Sequence, residues 1–577
     1  MVSHGPIERP GDHVIAISGS GGAGAITAGS ILLDAAAKSG RYGLLTRSVG
    51  PQIRGGEAAA LVRLSDRPLS CGAEKFDTLI AMDWRNIDRF IAEIPLSQDS
   101  TVIADPKAGD IPDAISQSGA TVVEIPLQAL AAEIDNGRPN MVALGAAAAL
   151  AGIPSDAIID VIGKKLEAKG SAVIEAGIAS VITGGAAAAD AMPCPPAHDG
   201  TRDGAERWVI SGNEAAGLGA VRGGVRFAAA YPITPATEIL EWLAAGLPKL
   251  GGTLVQAEDE LASINMVIGA SFGGTPSLTA TSGPGLALMI ESLGLATASE
   301  VPVVVVDVMR GGPSTGIPTK SEQSDLNIAV YGFHGDAPHV VVAPLSVSDC
   351  VFTTSWAVHL AEAMQVPAIV LSDQFLGQAR AVIDRPADVA FIGRREIAAQ
   401  PANDYCRYAV TASGVSPMAI PGTAGGRYTA DGLEHSPSGN PSSRGEDHAA
   451  QLDKRRNKVD GFDYGSHWAD LGGDADAETA VLTWGSTAAA ANEAVSATDM
   501  PVRLIAMRLL SPPQTDQLAA ALAGVKRILI VDQSHSGQFQ RYLRAFYDLP
   551  GETRSLHRAG PLLFGPSEIL QALEEWS

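Results

Sequence analysis

Between Tyr231 and Asp325 the pattern of apolar and polar positions changes period again and again. Residues 254–257 read as a short strand. Residues 260–272 read as a helix, with Leu261, Ile264 and Ile268 at helical spacing on one face. Residues 277–281 read as a strand and 286–298 as a helix. The run 301–308 is unbroken, apolar and β-branched, the pattern of a strand buried on both faces. Strand and helix in alternation predict a parallel sheet joined by right-handed crossovers.

The same alternation flanks this stretch. Towards the N-terminus, 14–18, 43–45, 78–82, 101–104 and 121–124 read as strands. The small-residue segment 141–152 reads as a helix. The segment 191–204 is rich in Pro and Gly and lacks periodicity, so it reads as a linker. A further buried strand, 368–371, closes the central region. From about 390 to 475 order weakens, and 417–444 is crowded with Gly, Pro and Ser. A stretch of that length without regular structure is usually functional or an extended connection. Strands at 481–484 and 528–531, with a helix at 514–522, predict a last α/β unit. The expected fold class is α/β, built on several open, mostly parallel sheets. The expected domains are 1–192, a linker at 193–204, 205–385, a connecting segment at 386–475, and 476–577.

Composition narrows the function classes. The chain has 577 residues, 46% of them hydrophobic and 18% charged, so it can bury several cores. Its formal net charge of −23 repels nucleic acid and anionic membrane, and neither is an expected partner. No run of about 18 apolar residues and no basic start before an apolar segment stand out, so the expected location is cytoplasmic. Cys71, Cys194, Cys350 and Cys406 are scattered, with no CxxC pair. That spacing argues against a disulfide framework, a zinc site or an iron–sulfur cluster carried by this chain alone.

Candidate chemistry lies where the strands end. In an open parallel sheet, the loops after the strands gather along one edge, and ligands bind there. Tyr231-Pro-Ile-Thr234-Pro235 follows one strand and Glu258-Asp259-Glu260 another. Ser282-Gly-Pro-Gly285 follows a third and Arg310-Gly-Gly312 the longest. Taken singly, each has a structural reading as a helix start, a cap or a surface arginine. Their shared placement on one edge favours function. Near the N-terminus, Gly19-Ser-Gly21-Gly22-Ala-Gly24 sits between a strand and a helix at 25–39, a layout that surrounds a phosphate with backbone N–H groups. The next strand is followed by Arg47 and Arg54 rather than by an acid. NAD is therefore disfavoured and another phosphate-bearing ligand preferred. A tight turn without ligand is the alternative.

The ordered motifs YPITP, QAEDE, ATSGPG and VDVMRGGPSTGIPT resemble the alpha subunit of 2-oxoacid:ferredoxin oxidoreductases, in particular the 2-oxoglutarate type. The motifs GSGGAGAITAG, SVGPQIRGGEA and NMVALGAAAAL resemble that family's gamma domain, here fused in front. SPMAIPG and YTADGLEH resemble its connecting segment, and the last unit resembles the C-terminal domain of transketolase-like enzymes. There His535 reads as structural, as does Glu434-His435. The resemblance implies thiamine diphosphate, with Glu260 as the catalytic carboxyl group bonding a nitrogen of the pyrimidine ring. It implies that Arg310 clamps a 2-oxoacid carboxylate and that Thr234 contacts the substrate. It implies coenzyme A near Gly21, Gly22 and Arg54. A GDG motif with a downstream Asn and cluster cysteines are missing. A beta subunit is therefore expected to bring the diphosphate–Mg²⁺ site and a [4Fe–4S] cluster, in an α2β2 assembly that passes electrons to ferredoxin. No metal ligand is assigned to this chain. Two rival readings stay open: a nucleotide- or CoA-binding subunit of an acyl-CoA ligase-like enzyme without redox chemistry, and a non-catalytic scaffold subunit.

Overall fold

The structure is a computed structural model that describes residues 6–7, 9–49, 56–198, 206–317, 319–388 and 391–576. The chain divides into two compact units. One joins Met1–Ser211, Gln378–Pro386 and Gly565–Gln571; the other joins Gly212–Gly377, Ala387–Phe564 and Ala572–Ser577.

The first unit holds an eight-stranded sheet. Thr121–Glu124, Thr101–Ala104, Thr78–Ala81 and His13–Ser20 lie parallel along one half. Glu57–Ser65, Tyr42–Val49, Arg380–Asp384 and Arg207–Ser211 complete the other half, all antiparallel. Simple strand–helix alternation misses this half. The connection from Val49 to Glu57 is too short for a helical crossover, so the second strand returns beside the first as its antiparallel partner. The strands at 207–211 and 380–384, from the two ends of the expected 205–385 domain, finish this sheet and not the next. Both sheet faces are covered. Ile15 and Ile17 pack with the helix Ala25–Lys38 on one side, while Val14 and Ala16 pack with Leu79 and Phe90 on the other.

Two further helices of this unit, Pro139–Leu150 and Ser171–Ala191, cross closely. A Cβ at Gly145 would lie 2.0 Å from the Val181 carbonyl, and one at Gly184 would lie 2.0 Å from the Val142 carbonyl, so only glycine permits the contact. The expectation that no segment is apolar enough to span a membrane is amended here. By length and composition, the 21-residue Ser171–Ala191 helix is. Its Ala and Gly residues, broken by Glu175, Ser180 and Thr183, dilute Ile174, Ile178 and Ile182 and keep the segment from standing out as one apolar run.

The second unit holds a seven-stranded sheet in the order Leu509–Ser511, Val340–Val342, Pro367–Asp373, Val303–Met309, Ser277–Thr281, Phe227–Ala230, Thr253–Gln256. It is parallel except for the first strand. The central strand Val303–Met309 is buried along its whole length, as its β-branched run predicts. The helix Glu260–Phe272 has the expected ends but a different buried stripe: Glu260, Ser263, Ile264, Val267, Ile268 and Ser271. Leu261 is 49% exposed. At 3.6 residues per turn it falls roughly 90° from the centre of that stripe.

A five-stranded sheet, Ala469–Gly473, Arg503–Met507, Thr479–Trp484, Arg527–Asp532 and Glu552–His557, is parallel except for its first strand. The connecting segment before it holds one long helix, Gly445–Asp460, and a buried charge network. Lys454 and Lys458 donate to the two oxygens of Glu300 at 2.6 and 2.9 Å, and Arg407 donates to the Glu300 carbonyl at 2.8 Å. Glu434 accepts from Arg455 at 2.7 Å and is paired with His448 at 2.8 Å.

Candidate active site

The three acids at the end of the strand Thr253–Gln256 meet different surroundings. Asp259 is the N-cap of the helix Glu260–Phe272, and its carboxylate accepts from the Ala262 N–H at 2.6 Å. Glu258 and Asp259 face solvent, whereas Glu260, one residue further round the turn, is 8% exposed. Among the described residues no donor reaches the Glu260 carboxylate. It rests against the turn that follows the strand Ser277–Thr281. A Cβ at Gly285 would lie 2.9 Å from Glu260 Oε1 and 2.0 Å from Thr281 Oγ1. Gly285 thus keeps open the space beside Glu260. Ser282, in the same turn, is buried, and its Oγ has no partner among the described residues.

Arg310 follows the central strand. Its Nη1 donates to the Thr234 carbonyl at 2.7 Å, across 76 positions of sequence. Thr234 is exposed. The turn that carries it is fixed by Asn213, a buried side chain whose Nδ2 donates to the Pro235 carbonyl at 2.8 Å and to Glu238 at 2.9 Å. Thr234, Glu260 and Arg310 therefore share one edge of one sheet, as their places after parallel strands require.

Sequence reasoning missed the acids behind Arg310. Asp307 sits inside the apolar run and is 0% exposed. A lone Asp in a β-branched strand was the available signal. Asp325 ends the loop that follows Arg310. Burial, and then the proximity of Glu322, push its carboxyl up to about 7, while burial and then Asp325 push the Asp307 carboxyl well above its ordinary value. The loop is fastened by the side chains of Gln323 and Gln538 and by the backbone of Gln533. Gln323 N–H donates to the Gln533 carbonyl at 2.8 Å, and Gln533 N–H returns a bond to Gln323 Oε1 at 2.9 Å. Gln323 Nε2 donates to the Trp484 carbonyl at 2.8 Å, and Gln538 Nε2 to the Ser324 carbonyl at 2.7 Å. The 532–538 segment thus steadies the loop behind Arg310.

The glycine loop belongs to the first unit. Gly22 and Gly24 have φ of 95° and 90°, a region that favours glycine. A Cβ at Gly22 would meet nothing within 4 Å, while one at Gly24 would lie 2.5 Å from Asn140 Nδ2. Ser20 N–H donates to Asp83 at 2.9 Å, and Gly21 N–H donates to the Gly56 carbonyl. Arg54 lies outside the described residues.

A family model described as pyruvate flavodoxin/ferredoxin oxidoreductase, thiamine diP-bdg, matches residues 218–454. One described as pyruvate ferredoxin/flavodoxin oxidoreductase matches residues 14–187. The 2-oxoglutarate synthase subunit KorA of Methanothermobacter marburgensis is 36% identical over 380 residues, which is 64% of this chain and 98% of the relative. Its namesake in Archaeoglobus fulgidus is 51% identical over 181 residues, 31% of this chain and 52% of the relative. The solved 2-oxoglutarate:ferredoxin oxidoreductase of Magnetococcus marinus, with 2-oxoglutarate, coenzyme A and succinyl-CoA bound, superposes with a TM-score of 0.91. It is 36% identical, and the match covers 98% of this chain and 100% of that one. With the buried Glu260 and the Arg310–Thr234 contact on one sheet edge, these likenesses show that the chain belongs to the 2-oxoacid:ferredoxin oxidoreductase family, among the 2-oxoglutarate synthase subunits.

Proposed function

We propose that the chain is the alpha-type subunit of a 2-oxoglutarate:ferredoxin oxidoreductase, which converts 2-oxoglutarate and coenzyme A to succinyl-CoA and carbon dioxide while reducing ferredoxin. The observation that carries this reading is Glu260: a buried carboxylate with no donor among the described residues, beside a turn where only glycine leaves room.

These residues fit thiamine diphosphate. When bound, that cofactor supplies the carbanion chemistry that breaks the bond between the 2-oxo carbon and the carboxylate. Glu260 would hold a proton at a pyrimidine nitrogen, the role of a positioned general acid–base group. Arg310 would hold the substrate carboxylate. One of its nitrogens is already held by Thr234, which sets the plane of the guanidinium. Thr234, exposed on the neighbouring loop, would contact the substrate. Gly21, Gly22 and Arg54 would receive coenzyme A, whose phosphates suit a glycine turn before a helix.

The remaining parts would come from a beta subunit carrying the diphosphate–Mg²⁺ site and a [4Fe–4S] cluster, in a cytoplasmic α2β2 enzyme. Copurification of this chain with such a partner tests the proposal. The complex is expected to be brown, to hold thiamine diphosphate, and to oxidise 2-oxoglutarate only when CoA and an electron acceptor are present. This chain alone is expected to be colourless and inactive. Oxidation of a 2-oxoacid by the isolated chain would defeat the two-subunit reading.

A further inference from the structure

We propose that Asp307 and Asp325 form a carboxyl pair sharing one proton, which sets the charge facing Arg310 and so determines how tightly the substrate carboxylate is held. They act as positioning residues, through Arg310, and the inference rests on the reading of Arg310 as the carboxylate clamp.

The geometry is unusual for two acids. Asp307 lies mid-strand in the centre of the sheet, opposite Thr281 on one side and Leu371 on the other. Its two oxygens and Oδ2 of Asp325 are buried and receive no N–H or O–H donor among the described residues. The two side chains are within hydrogen-bonding reach of one another. Asp325 stands at the N-cap position of the short helix Leu326–Tyr331 but makes no side-chain cap bond there. It presses instead on the turn that opens the helix Gly283–Ala298. A Cβ at Gly283 would lie 2.5 and 2.7 Å from its two oxygens. The glutamine bonds from 533 and 538 hold the Asp325 loop in that place.

Two carboxylates this close, away from water, do not both ionise; one proton shared between them replaces the missing donor. The groups facing the pair are few. Arg310 lies at the end of the Asp307 strand. Glu322 lies on the Asp325 loop, where it accepts from the Gly560 N–H at 3.1 Å and feels His535. The helix side contributes Gly283. With both protons the pair is neutral and leaves the Arg310 guanidinium to the substrate. Once Asp325 ionises, the remaining proton is shared and the pair carries a single negative charge that competes with an incoming dianion for Arg310. Burial pushes the Asp325 carboxyl up to about 7, so this ionisation falls in the neutral range, while Asp307, raised well above its ordinary value, keeps the shared proton.

The test uses the complete two-subunit complex. KM and kcat for 2-oxoglutarate are measured from about pH 6 to about pH 9, a span that brackets the raised carboxyl. In the wild type, KM is expected to climb above about pH 7, towards about tenfold per pH unit, with a smaller change in kcat. Asp325→Asn and Asp307→Asn each replace an acid by a neutral group of the same shape. In both, the alkaline rise in KM is expected to vanish. Variants that follow the wild-type curve would overturn the pair, as would a flat wild-type profile in an active enzyme. A wild-type complex that oxidises no 2-oxoacid at any pH would remove the clamp reading, and this inference with it. If the variants do not fold, infrared spectra of the wild type decide. A protonated carboxyl band that loses part of its intensity as the pH is raised through neutrality supports the pair, and its absence at neutral pH overturns it.

Discussion

Glu258, Asp259 and Glu260 are adjacent in sequence, yet only Glu260 is buried, and Asp259 is occupied by its cap bond to Ala262. The three therefore separate by experiment. Glu260→Gln keeps the shape and can still hydrogen-bond, but it cannot move a proton. The rate of C2 hydrogen–deuterium exchange in thiamine diphosphate bound to the complex is expected to fall by about 10² to 10⁴. Glu258→Gln is expected to leave it within a few-fold, and Asp259→Asn to cost little, because Asn caps a helix about as well as Asp. Equal exchange in wild type and Glu260→Gln would end the assignment. Arg310 is tested by Lys. The guanidinium has one nitrogen on Thr234 and, among the described residues, no hydrogen-bond partner on the others, which leaves them to reach a carboxylate, whereas an ammonium is a point charge that cannot bridge both. A loss of about 2 kcal/mol is expected, or about a thirtyfold rise in KM. Unchanged kinetics in a folded variant would return Arg310 to a structural role.

At the scale of elements, the strand–turn–helix around Gly285 shows what the site demands of the backbone. Gly285→Ala would set a methyl 2.0 Å from Thr281 Oγ1 and 2.9 Å from Glu260 Oε1. Alanine favours the helix by up to about 1 kcal/mol, which offsets part of the crowding. The expected outcome is a small change in Tm and at least about a tenfold loss of C2 exchange, since Glu260 has to move. Wild-type exchange in that variant would show that the turn is not shaped for Glu260. Elements with a strong local signal were legible in the sequence. The Glu260–Phe272 helix was placed end to end, and the central strand followed from its β-branched run. What was not legible depended on pairing partners. The antiparallel hairpin of Tyr42–Val49 with Glu57–Ser65 is a matter of connection length rather than periodicity. The exposure of Leu261 depends on which side of the helix meets the sheet. The Asp307–Asp325 contact joins a strand to a loop end that no spacing rule connects.

At the scale of the whole molecule, the connecting segment shows how a region poor in periodicity is held. Its order comes from charges buried within the second unit, and the central one is Glu300, with Lys454 and Lys458 at 0% side-chain exposure. Burial alone would raise the Glu300 pKa. Lys458, Lys454 and Arg407 outweigh it and hold the carboxyl well below its ordinary range. Lys458 is lowered as well, for the opposite reason: burial lowers it more than Glu300 raises it, to about 8. Glu300→Gln removes the counter-charge of two buried ammonium groups, a loss expected to cost about 3–5 kcal/mol at neutral pH. The pH dependence gives the sharper test. A carboxyl whose folded pKa is depressed stabilises fully above its unfolded value of about 4.5 and loses that contribution as pH falls towards the folded one. Wild-type Tm should therefore fall below about pH 4.5, and this part of the acid loss should be missing in Glu300→Gln. On the alkaline side, the variant's lysines shed their protons more readily with no carboxylate to hold them. Its deficit should therefore shrink as pH rises towards about 8, where the wild-type Lys458 titrates. Thermal unfolding across this range measures both limbs. A Glu300→Gln protein whose Tm lies a constant amount below the wild type at every pH would show that the network packs the segment without holding it by charge.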